Sequence, residues 1–586
     1  MTSAHKVAAV SAIGVVGVAI LFLPEFYVSL LAFSGLFGLA AVGLVLLLQT
    51  GQVSLGHAAF TGLGAYVTAV VTRNWGMSAW IGMPAGMLVA ALAALLIGAA
   101  TLRLRGHYLP LATIAWGIAL SVIFVAWIDV TGGASGLDGI PPISFFGSEL
   151  LDDRTFVALI WASLGGVLAS LSHFQVSRVG RAMRAVRANE LMAQTFGVST
   201  FALKLQVFIL SAVLAALAGA LYAHMLHFVS PTPFNLHASF KILIMAVLGG
   251  PGHVAGGALG ALIIVGIEYS LQDLLPKLFG RAGNYEIIFF GAILVFILIK
   301  WPRGLWPLFA GLVPAGPAAR IGPGESLPAI RKTAAAGPLL ALDGVSVHFG
   351  GLHALDAISF SVQAGEIVGL IGPNGAGKTT AFNVIAGVFP ASQGEIRLAG
   401  SPLTGDITTR IHRGMARTFQ HVRLVSEMSV VENVAIGCHA RTTAGVLTCL
   451  TLLDRAEEAR IRRTAFAALE RVGLAGRALE EIGSLPLGQQ RLVEVARALA
   501  ADPTLLLLDE PAAGLRHAER AELAALIRRL GQEGMTVLLI EHDMDLIMGL
   551  VDRTIVLSRG RILAEGRPEE IRRHPAVIEA YLGEAA

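Results

Sequence analysis

VGLIGPNGAGKTTAFNVIAG, residues 368–387, decides the fold of the C-terminal half of the chain. The stretch joins an apolar strand, a glycine loop and a helix, and it contains GxxxxGK followed by threonine. In such a loop, backbone N–H groups and the helix N-terminus bind phosphates, the lysine reaches the β- and γ-phosphates, and the hydroxyl is offered to Mg²⁺. The residues predicted to bind the nucleotide here are Gly372, Asn374, Gly375, Gly377, Lys378, Thr379 and Thr380.

A second apolar strand, TLLLLDEPAAGL at 504–515, ends in two acids, Asp509 and Glu510. Asp509 is placed to hold a magnesium ion, and Glu510 to polarise an attacking water. A solvated strand edge would also end in acids. Four leucines run directly into them, however, and a phosphate loop lies upstream, so the catalytic interpretation is favoured.

The composition of the whole chain indicates a large membrane part. Hydrophobic residues make up 55% and charged residues 14% of 586 residues, whereas a soluble domain has about 25% charged residues. The mean hydropathy is +0.70. A net charge of +3 argues against nucleic-acid binding. Cys438 and Cys449 fit no metal-ligand spacing.

Nine stretches of the N-terminal half are candidates for crossing a bilayer, which takes about 20 apolar residues of helix. They are 7–23, 27–48, 53–71, 79–101, 108–128, 156–172, 204–228, 254–272 and 285–300. The first lacks a small-residue cleavage site and is interpreted as an uncleaved helix. We predict a membrane domain of about eight to ten spans at 1–305, a flexible Pro/Gly/Ala-rich linker at 306–337, and a nucleotide-binding domain at 338–586.

Basic residues orient the spans. Arg178, Arg181, Arg184 and Arg187 lie in one short loop, which the positive-inside rule places in the cytoplasm. Lys300 and Arg303 place the end of the last span on the same side, so an even number of crossings joins the two regions. The stretch 238–250, which stops at the Gly-Gly-Pro of 249–251, supplies the missing element as one half of an interrupted helix pair.

TGQVSLGHAAFTGLGAY, residues 50–66, is similar in pattern to that interrupted region. Broken helices at membrane depth line cavities, so Gln52, Ser54 and His57 are candidates for a substrate path. The alternative is that Gly and Ala only let helices pack closely. His253 and Glu268 are polar residues at or near membrane depth. They too are candidates either for a functional role or for contacts between helices.

GRAMRAVRANELMAQTFGVSTFALKL, residues 180–205, is a basic and amphipathic stretch before the next span. A cytoplasmic helix of this kind could dock into a groove on an ATPase, or it could lie on anionic lipid headgroups. The residues of the docking interpretation are Asn189, Glu190, Gln194 and Gly197.

The motifs of 338–586 together resemble an ATP-binding-cassette (ABC) ATPase. Within that resemblance Phe349 corresponds to the residue that stacks on adenine, Gln420 to the Q-loop glutamine that touches Mg²⁺ and the water, and His542 to the switch histidine at the γ-phosphate. Glu510, His542 and Gln420 are then the catalytic set, and Thr379, Gln420 and Asp509 the magnesium set. The expected fold is a polytopic α-helical membrane domain joined to an α/β P-loop NTPase domain with a helical subdomain.

SLPLGQQRLVEVARAL, residues 484–499, resembles the signature motif that closes over the nucleotide of a second ATPase. Gly488 and Gln489 are retained for that contact in trans, but Pro486 replaces the serine. Losing one hydrogen bond costs about 0.5–1.5 kcal/mol, so closure is weakened rather than abolished. Arg516 stands where the family commonly has Asp or Asn, which puts equal activity of both composite sites in doubt.

The membrane half resembles the LivM permease subunit of Liv-type importers, and the C-terminal half resembles their LivG ATPase. The permease likeness lies in the stretches 51–66, 102–117, 130–142 and 180–199, and the ATPase likeness includes VIEAYLGE at 577–584. The resemblance implies a fused permease–ATPase in the bacterial inner membrane, with the ATPase domain and linker in the cytoplasm. It implies uptake of branched-chain amino acids driven by ATP and Mg²⁺.

The same resemblance implies partners: a LivH-like permease, a LivF-like ATPase or another fusion, membrane lipid, and an extracytoplasmic solute-binding protein. One chain has one phosphate loop and one signature, so it forms no closed site with itself. Urea, amides and aromatic acids are alternative solutes. The short loops between the spans disfavour an ABC exporter. The number of spans disfavours a non-transport ATPase that is merely tethered to a membrane.

Overall fold

The computed structural model describes residues 20–103, 108–145, 148–150, 152–279, 291–292, 295–297, 299–310, 324–330 and 337–582. The chain forms two compact units. The described residues of the membrane unit fall within Met1–Val176, Phe201–Ala319 and Val446–Leu452, and those of the nucleotide unit fall within Ser177–Thr200, Arg320–Gly445 and Leu453–Ala586.

The N-terminal half of the chain is almost entirely helical in the described residues. Its helices are α1 (Glu25–Leu48), α2 (His57–Ala69), α3 (Ala79–Thr101), α4 (Tyr108–Ala126), α5 (Ile128–Thr131), α6 (Asp153–Val176), α7 (Arg178–Ala188), α8 (Glu190–Thr195), α9 (Thr200–Leu226), α10 (Leu236–Gly249), α11 (Val254–Phe279) and α12 (Trp306–Ala310). Four strands of two residues each form two small pairs, β1 (Leu137–Asp138) with β4 (Phe228–Val229), and β2 (Ser144–Phe145) with β3 (Ser148–Glu149).

Six helices among the described residues are long and apolar enough to cross a membrane. They are α1, α3, α4, α6, α9 and the Val254–Leu271 part of α11. They coincide with six predicted spans. The predicted span 53–71 differs, because α2 has only 13 residues and continues as a π-helical turn, Val70–Asn74. The predicted spans 7–23 and 285–300 lie largely outside the described residues.

The interrupted helix predicted after residue 238 is present in the structure. Helix α10 has 14 residues and ends at Gly249, and α11 begins at Val254 after a tight turn. The two helices pack closely, since a Cβ atom on Gly249 would lie 1.7 Å from the carbonyl oxygen of Gly256. Only glycine at this position lets the two backbones approach so closely.

The C-terminal half is an α/β fold. Its strands are β5 (Leu340–Phe349), β6 (Leu352–Val362), β7 (Ile367–Ile371), β8 (Gln393–Leu398), β9 (Ser401–Pro402), β10 (Met415–Arg417), β11 (Leu505–Asp509), β12 (Thr536–Ile540), β13 (Arg553–Ser558) and β14 (Arg561–Gly566). Its helices are α13 (Lys378–Ala386), α14 (Ile407–Arg410), α15 (Val430–Ala435), α16 (Val446–Leu450), α17 (Arg455–Arg471), α18 (Leu487–Ala500), α19 (His517–Gln532), α20 (Met544–Leu550), α21 (Pro568–Arg572) and α22 (Pro575–Leu582).

Two sheets organise this half. The larger has the order β10-β11-β12-β7-β13-β14 and is parallel except for β14, and the smaller is antiparallel with the order β6-β5-β8-β9. Every residue of β7, β11 and β12 is buried, which explains their continuous apolar sequences. The carboxyl ends of these three parallel strands share one edge, where ligands bind in such sheets.

Two segments predicted to lie outside the ATPase domain belong to the nucleotide unit. The first is 177–200, which contains α7 and α8 and which the sequence analysis placed within the membrane domain. The second is 324–330, a part of the predicted flexible linker. Its Leu327 is 9% exposed and donates its backbone N–H to Thr464 at 2.8 Å. This part of the linker is a packed strap rather than a free connection.

Candidate functional site

The phosphate loop has the conformation that the sequence predicts. It leaves β7 and enters α13, whose N-cap Gly377 has φ +99°. Gly375 has φ +74°, and both values favour glycine. The Lys378 ammonium group donates to the carbonyl oxygens of Gly372 (2.6 Å) and Pro373 (2.7 Å), which holds the lysine against the loop. Backbone donors at a helix start beside an ammonium group fit a triphosphate.

The other predicted loop residues lie in the same short stretch. Asn374 and Thr379 are exposed, and Thr380, the next residue of α13, is half-buried. The Thr379 hydroxyl is therefore accessible at the carboxyl edge of the sheet, where a magnesium ligand is required.

Three predicted catalytic side chains lie together. Gln420 donates from Nε2 to Glu510 Oε2 at 3.0 Å, and His542 Nδ1 lies 3.8 Å from the same oxygen. The backbone of Glu510 is left-handed, with φ +44°, a conformation that costs about 1–3 kcal/mol in residues other than glycine. Strain of this kind is typical of residues held for function.

Asp509, at the end of β11, is 3% exposed and is ion-paired with Arg417. Arg417 Nη2 donates to Asp509 Oδ2 at 2.8 Å, and its Nη1 donates to Asn383 Oδ1 at 2.7 Å. Mg²⁺ prefers oxygen ligands, and the Asp509 carboxylate, the Thr379 hydroxyl and the Gln420 side-chain amide each offer an oxygen. These three residues are the ones that would hold the ion.

Glu541 is a buried acid at this site that the sequence analysis did not identify. It is 1% exposed and accepts the backbone N–H groups of Ala512 (2.8 Å) and His542 (3.2 Å). Burial raises the pKa of its carboxyl group. Its position immediately before the predicted switch histidine was the only sequence signal for it. Glu541 fixes the backbone of the two loops that carry Glu510 and His542.

Phe349, predicted to stack on adenine, ends β5 and is 49% exposed. It contacts Phe389 edge-to-face, with the ring centroids 5.2 Å apart. The ring is therefore in contact with Phe389, and about half of the side chain remains accessible.

The signature stretch begins α18, with Pro486 as its N-cap and no side-chain hydrogen bond to the helix. A cavity of about 200 Å³ lies at this helix start, lined by Pro486, Gly488, Gln489 and Glu519 among others. A Cβ atom on Gly488 would lie 2.5 Å from Glu519 Oε1, so a larger residue here would displace the Glu519 side chain. The side-chain oxygen of Gln489 is buried without a hydrogen-bond partner among the described residues. Arg516 is exposed and donates its backbone N–H to Glu519 at 2.8 Å.

The arginines of α7 are paired with acids of the nucleotide unit. Arg181 binds Glu458 with two hydrogen bonds, of 2.6 and 2.8 Å, and Arg184 binds Glu432 at 3.1 Å. The sequence assigned these arginines to the cytoplasmic side and to a basic stretch that docks on an ATPase or on lipid, without identifying their partners. Their spacing of three residues, which places them on one helix face, was the signal for a docking surface.

Arg178, at the start of the same helix, binds backbone carbonyls of the nucleotide unit. Its guanidinium group donates to Ala444 (2.8 Å) and His439 (3.0 Å). Residues 177–200, which we call the docking segment, are therefore joined to the nucleotide unit by direct hydrogen bonds. Protein partners occupy the charges that the alternative interpretation assigned to lipid headgroups.

The four residues predicted for docking have different roles. Gly197 packs against Ala440, since a Cβ atom added to Gly197 would lie only 2.9 Å from Ala440 Cβ. Asn189 caps α8 by accepting the N–H of Met192, Gln194 bonds within the segment to Thr200, and Glu190 is exposed. Phe196, which the sequence analysis did not identify, is 1% exposed.

Of the predicted substrate-path residues, Gln52 and Ser54 lie in the break before α2 and His57 is the first residue of that helix; all three are buried. Gln52 donates to Thr50 Oγ1 (2.7 Å) and to the Lys204 carbonyl (3.2 Å), and His57 Nε2 lies 3.1 Å from the Ala40 carbonyl. Ser54 is 1% exposed and lines a very small cavity. These contacts join helices, and the substrate-path role remains a prediction.

The other two polar residues at or near membrane depth also have close neighbours. Glu268 is ion-paired with Lys241, whose ammonium group lies 4.4 Å from the Phe37 ring centroid. His253 donates its backbone N–H to Gly250 at 3.2 Å in the turn between α10 and α11. An ion pair inside a helix bundle offsets the cost of each charge.

Comparisons with known proteins match both halves of the chain. Residues 26–298 match the family described as branched-chain amino acid transport system / permease component, and 355–513 match ABC transporter. Residues 561–586 match branched-chain amino acid ATP-binding cassette transporter.

Individual relatives match the C-terminal half. The high-affinity branched-chain amino acid transport ATP-binding protein LivG of Salmonella typhimurium is 46% identical over 253 residues, which are 42% of this chain and 99% of that protein. Its counterpart BraF of Pseudomonas aeruginosa is 44% identical over 252 residues, with the same coverage. A crystal structure of a nucleotide-free ATP-binding cassette from an ABC transporter is 33% identical, covers 42% of this chain and 99% of its own, and gives a TM-score of 0.38.

Proposed function

We propose that this chain, which belongs to the branched-chain amino acid family of ABC transporters, is an importer subunit for branched-chain amino acids. It combines a permease part and an ABC ATPase part in one multi-pass membrane polypeptide. One observation carries this proposal. A segment that connects two candidate membrane spans, the docking segment, is built into the nucleotide unit by buried ion pairs. ATP turnover and a membrane pathway are thereby coupled within one chain.

In the proposed reaction Glu510 accepts a proton from the attacking water. Gln420 donates to Glu510, which orients the carboxylate. His542, whose Nδ1 lies 3.8 Å from the same carboxylate oxygen, would contact the γ-phosphate. Lys378 and the N–H groups at the start of α13 neutralise phosphate charge. Magnesium, when bound by Thr379, Asp509 and Gln420, supplies further charge neutralisation between the phosphates.

The proposed cycle needs a second nucleotide lobe. This chain carries one phosphate loop and one signature helix, so Gly488 and Gln489 act on the nucleotide of a partner. We propose a LivH-like permease and a LivF-like ATPase, or another fusion, as the other half. Closure of the two lobes moves the docking segment, and release returns it.

If transport is inward, we expect a solute-binding protein on the extracytoplasmic side of a bacterial inner membrane. Specificity would reside mainly in that protein. The relatives LivG and BraF are branched-chain amino acid transport ATP-binding proteins, which supports leucine, isoleucine and valine over urea, amides and aromatic acids.

The test is purification of the chain with its partners and reconstitution into proteoliposomes that contain ATP on the ATPase side. We expect ATP-dependent uptake of radiolabelled leucine from the opposite side, inhibited by unlabelled isoleucine and valine. Urea, an amide and phenylalanine serve as alternative solutes in parallel. An assembly that hydrolyses ATP but moves none of these solutes, or moves them outward, contradicts the proposal.

A further inference from the structure

Three charged residues on one face of α18 are almost completely buried. Arg491, Glu494 and Arg497, spaced by three residues, are 7%, 1% and 1% exposed. Glu494 lies 3.4 Å from Arg491 and 3.2 Å from Arg497. Burying such a set costs free energy that apolar residues would not. None of the three belongs to the residue set predicted for nucleotide, water or magnesium.

The side chains of this charged face form hydrogen bonds with the backbone of the loop that carries Gln420. Arg491 donates to the Phe419 carbonyl at 2.9 Å and to the Gln420 carbonyl as well. Glu494 accepts the Arg423 N–H at 2.8 Å, and Arg497 donates to the Arg423 carbonyl at 2.7 Å. Four backbone groups of 419–423 are therefore fixed by three side chains of one helix.

The opposite side of the cluster contacts the docking segment. The Arg497 guanidinium carbon lies 5.0 Å from the centroid of the Phe196 ring, and both side chains are 1% exposed. A desolvated cation over an aromatic face is attracted strongly. The adjacent Gly197 has φ +84° and packs closely on Ala440, since an added Cβ atom would lie 2.9 Å from Ala440 Cβ.

We propose that Arg491, Glu494 and Arg497 are positioning residues that tie residues 419–423 to Phe196 of the docking segment. A displacement of Phe196 is passed to Arg497, then to the loop backbone, and so to the Gln420–Glu510 hydrogen bond. Solute-dependent movement of the docking segment thereby adjusts the orientation of the catalytic glutamate. This consequence for solute rests on the proposed transport function, whereas the positioning itself does not.

The decisive variant is Phe196→Leu, which keeps apolar volume and removes the aromatic face. In the purified full chain we expect hydrogen–deuterium exchange of amides 419–423 to rise about tenfold. Phe196→Tyr keeps the ring and should retain protection. Val198→Ala, which removes buried volume from the same segment and leaves the ring in place, is the matched control and should also retain it. Arg497→Lys, which keeps the charge and loses the planar fork, should raise exchange as Phe196→Leu does.

A double variant tests the coupling directly. If Phe196 and Arg497 act together, the combined change raises exchange by much less than the product of the single effects. Equal exchange in Phe196→Leu and Val198→Ala overturns the proposal, as does full additivity. If Arg497→Lys does not fold, the comparison of Phe196→Leu with Phe196→Tyr tests the proposal without it.

The same variants in the reconstituted assembly connect the cluster to transport. We expect the ratio of ATP hydrolysis with solute to hydrolysis without it to fall about tenfold in Phe196→Leu, while nucleotide binding is unchanged. A normal ratio in that variant contradicts the transmission step. Raised exchange in an assembly whose wild type moves no solute overturns the transport function alone and supports the positioning role.

Discussion

Arg181 and Glu458 are joined by two parallel hydrogen bonds, 2.6 Å from Nη1 to Oε1 and 2.8 Å from Nη2 to Oε2, although their side chains are only 3% and 8% exposed. Burial alone would lower the pKa of Arg181, but the charge and hydrogen bonds of Glu458 outweigh it and raise that pKa. Arg462 also donates to Glu458, at 3.0 Å. The docking segment is thus held by a desolvated, bidentate pair.

Replacing Arg181 with alanine should uncouple the two activities. It leaves Glu458 buried with one remaining cation, which costs about 3–5 kcal/mol. We expect ATP-dependent uptake in proteoliposomes to be lost while equilibrium nucleotide binding is retained. Arg187→Ala is the matched control, because Arg187 lies 3.9 Å from Glu427 and the two side chains are 34% and 55% exposed. Such an exposed pair contributes about 0–1 kcal/mol, so equal losses in both variants would disprove the burial argument.

Gly197→Ala should loosen the docking segment. The residue has φ +84°, and an added Cβ would lie 2.9 Å from Ala440 Cβ, so strain and overlap combine. Together these cost about 1–3 kcal/mol. We expect faster cleavage within 177–200 in limited proteolysis of the full chain. Gly476→Ala has open space around its Cβ position, and its cleavage pattern should match that of the wild type.

Glu510→Gln removes the proposed proton acceptor and keeps the size of the side chain. Hydrolysis should fall by at least about a hundredfold, the range given for general-base catalysis. ATP binding, measured by fluorescent nucleotide titration, should persist, because Lys378 and the phosphate loop are untouched. Turnover near the wild-type rate would remove Glu510 from the base role.

Pro486→Ser restores a hydroxyl at the N-cap of α18. The structure shows no side-chain cap there, and a serine cap stabilises a helix by about 0.5–2 kcal/mol. We expect a modest rise in steady-state hydrolysis of the assembled transporter, less than about tenfold. An activation far above that range would mean that the natural composite site is degenerate.

Much of the fold followed from sequence pattern. The phosphate loop, the acids after β11 and six of the spans are each signalled by local apolar runs and glycines, which act over few residues. The family assignment is confirmed by the matches to both halves of the chain. The broken helix before Val254 was predictable because Gly-Gly-Pro ends a helix wherever it occurs.

The docking contacts were not predictable in the same way. Four arginines in a short loop indicate membrane topology as well as they indicate docking, and only the partners, Glu458 and Glu432, distinguish the two. Phe196 and Arg497 are 301 positions apart by their residue numbers, and a lone Phe in a sequence is most often packing. Contacts over that separation depend on tertiary structure, which no local pattern encodes.

The strap at 324–330 has a practical consequence for recombining such chains. Ile330 donates its N–H to Asp502 at 2.8 Å, and Arg441 donates to the Pro328 carbonyl at 2.8 Å, so the strap is fitted to its own cassette. A chimera that exchanges permeases therefore needs its crossover point before residue 324. A crossover at 338, the domain boundary predicted from the sequence, would replace the strap with a foreign segment that lacks these contacts.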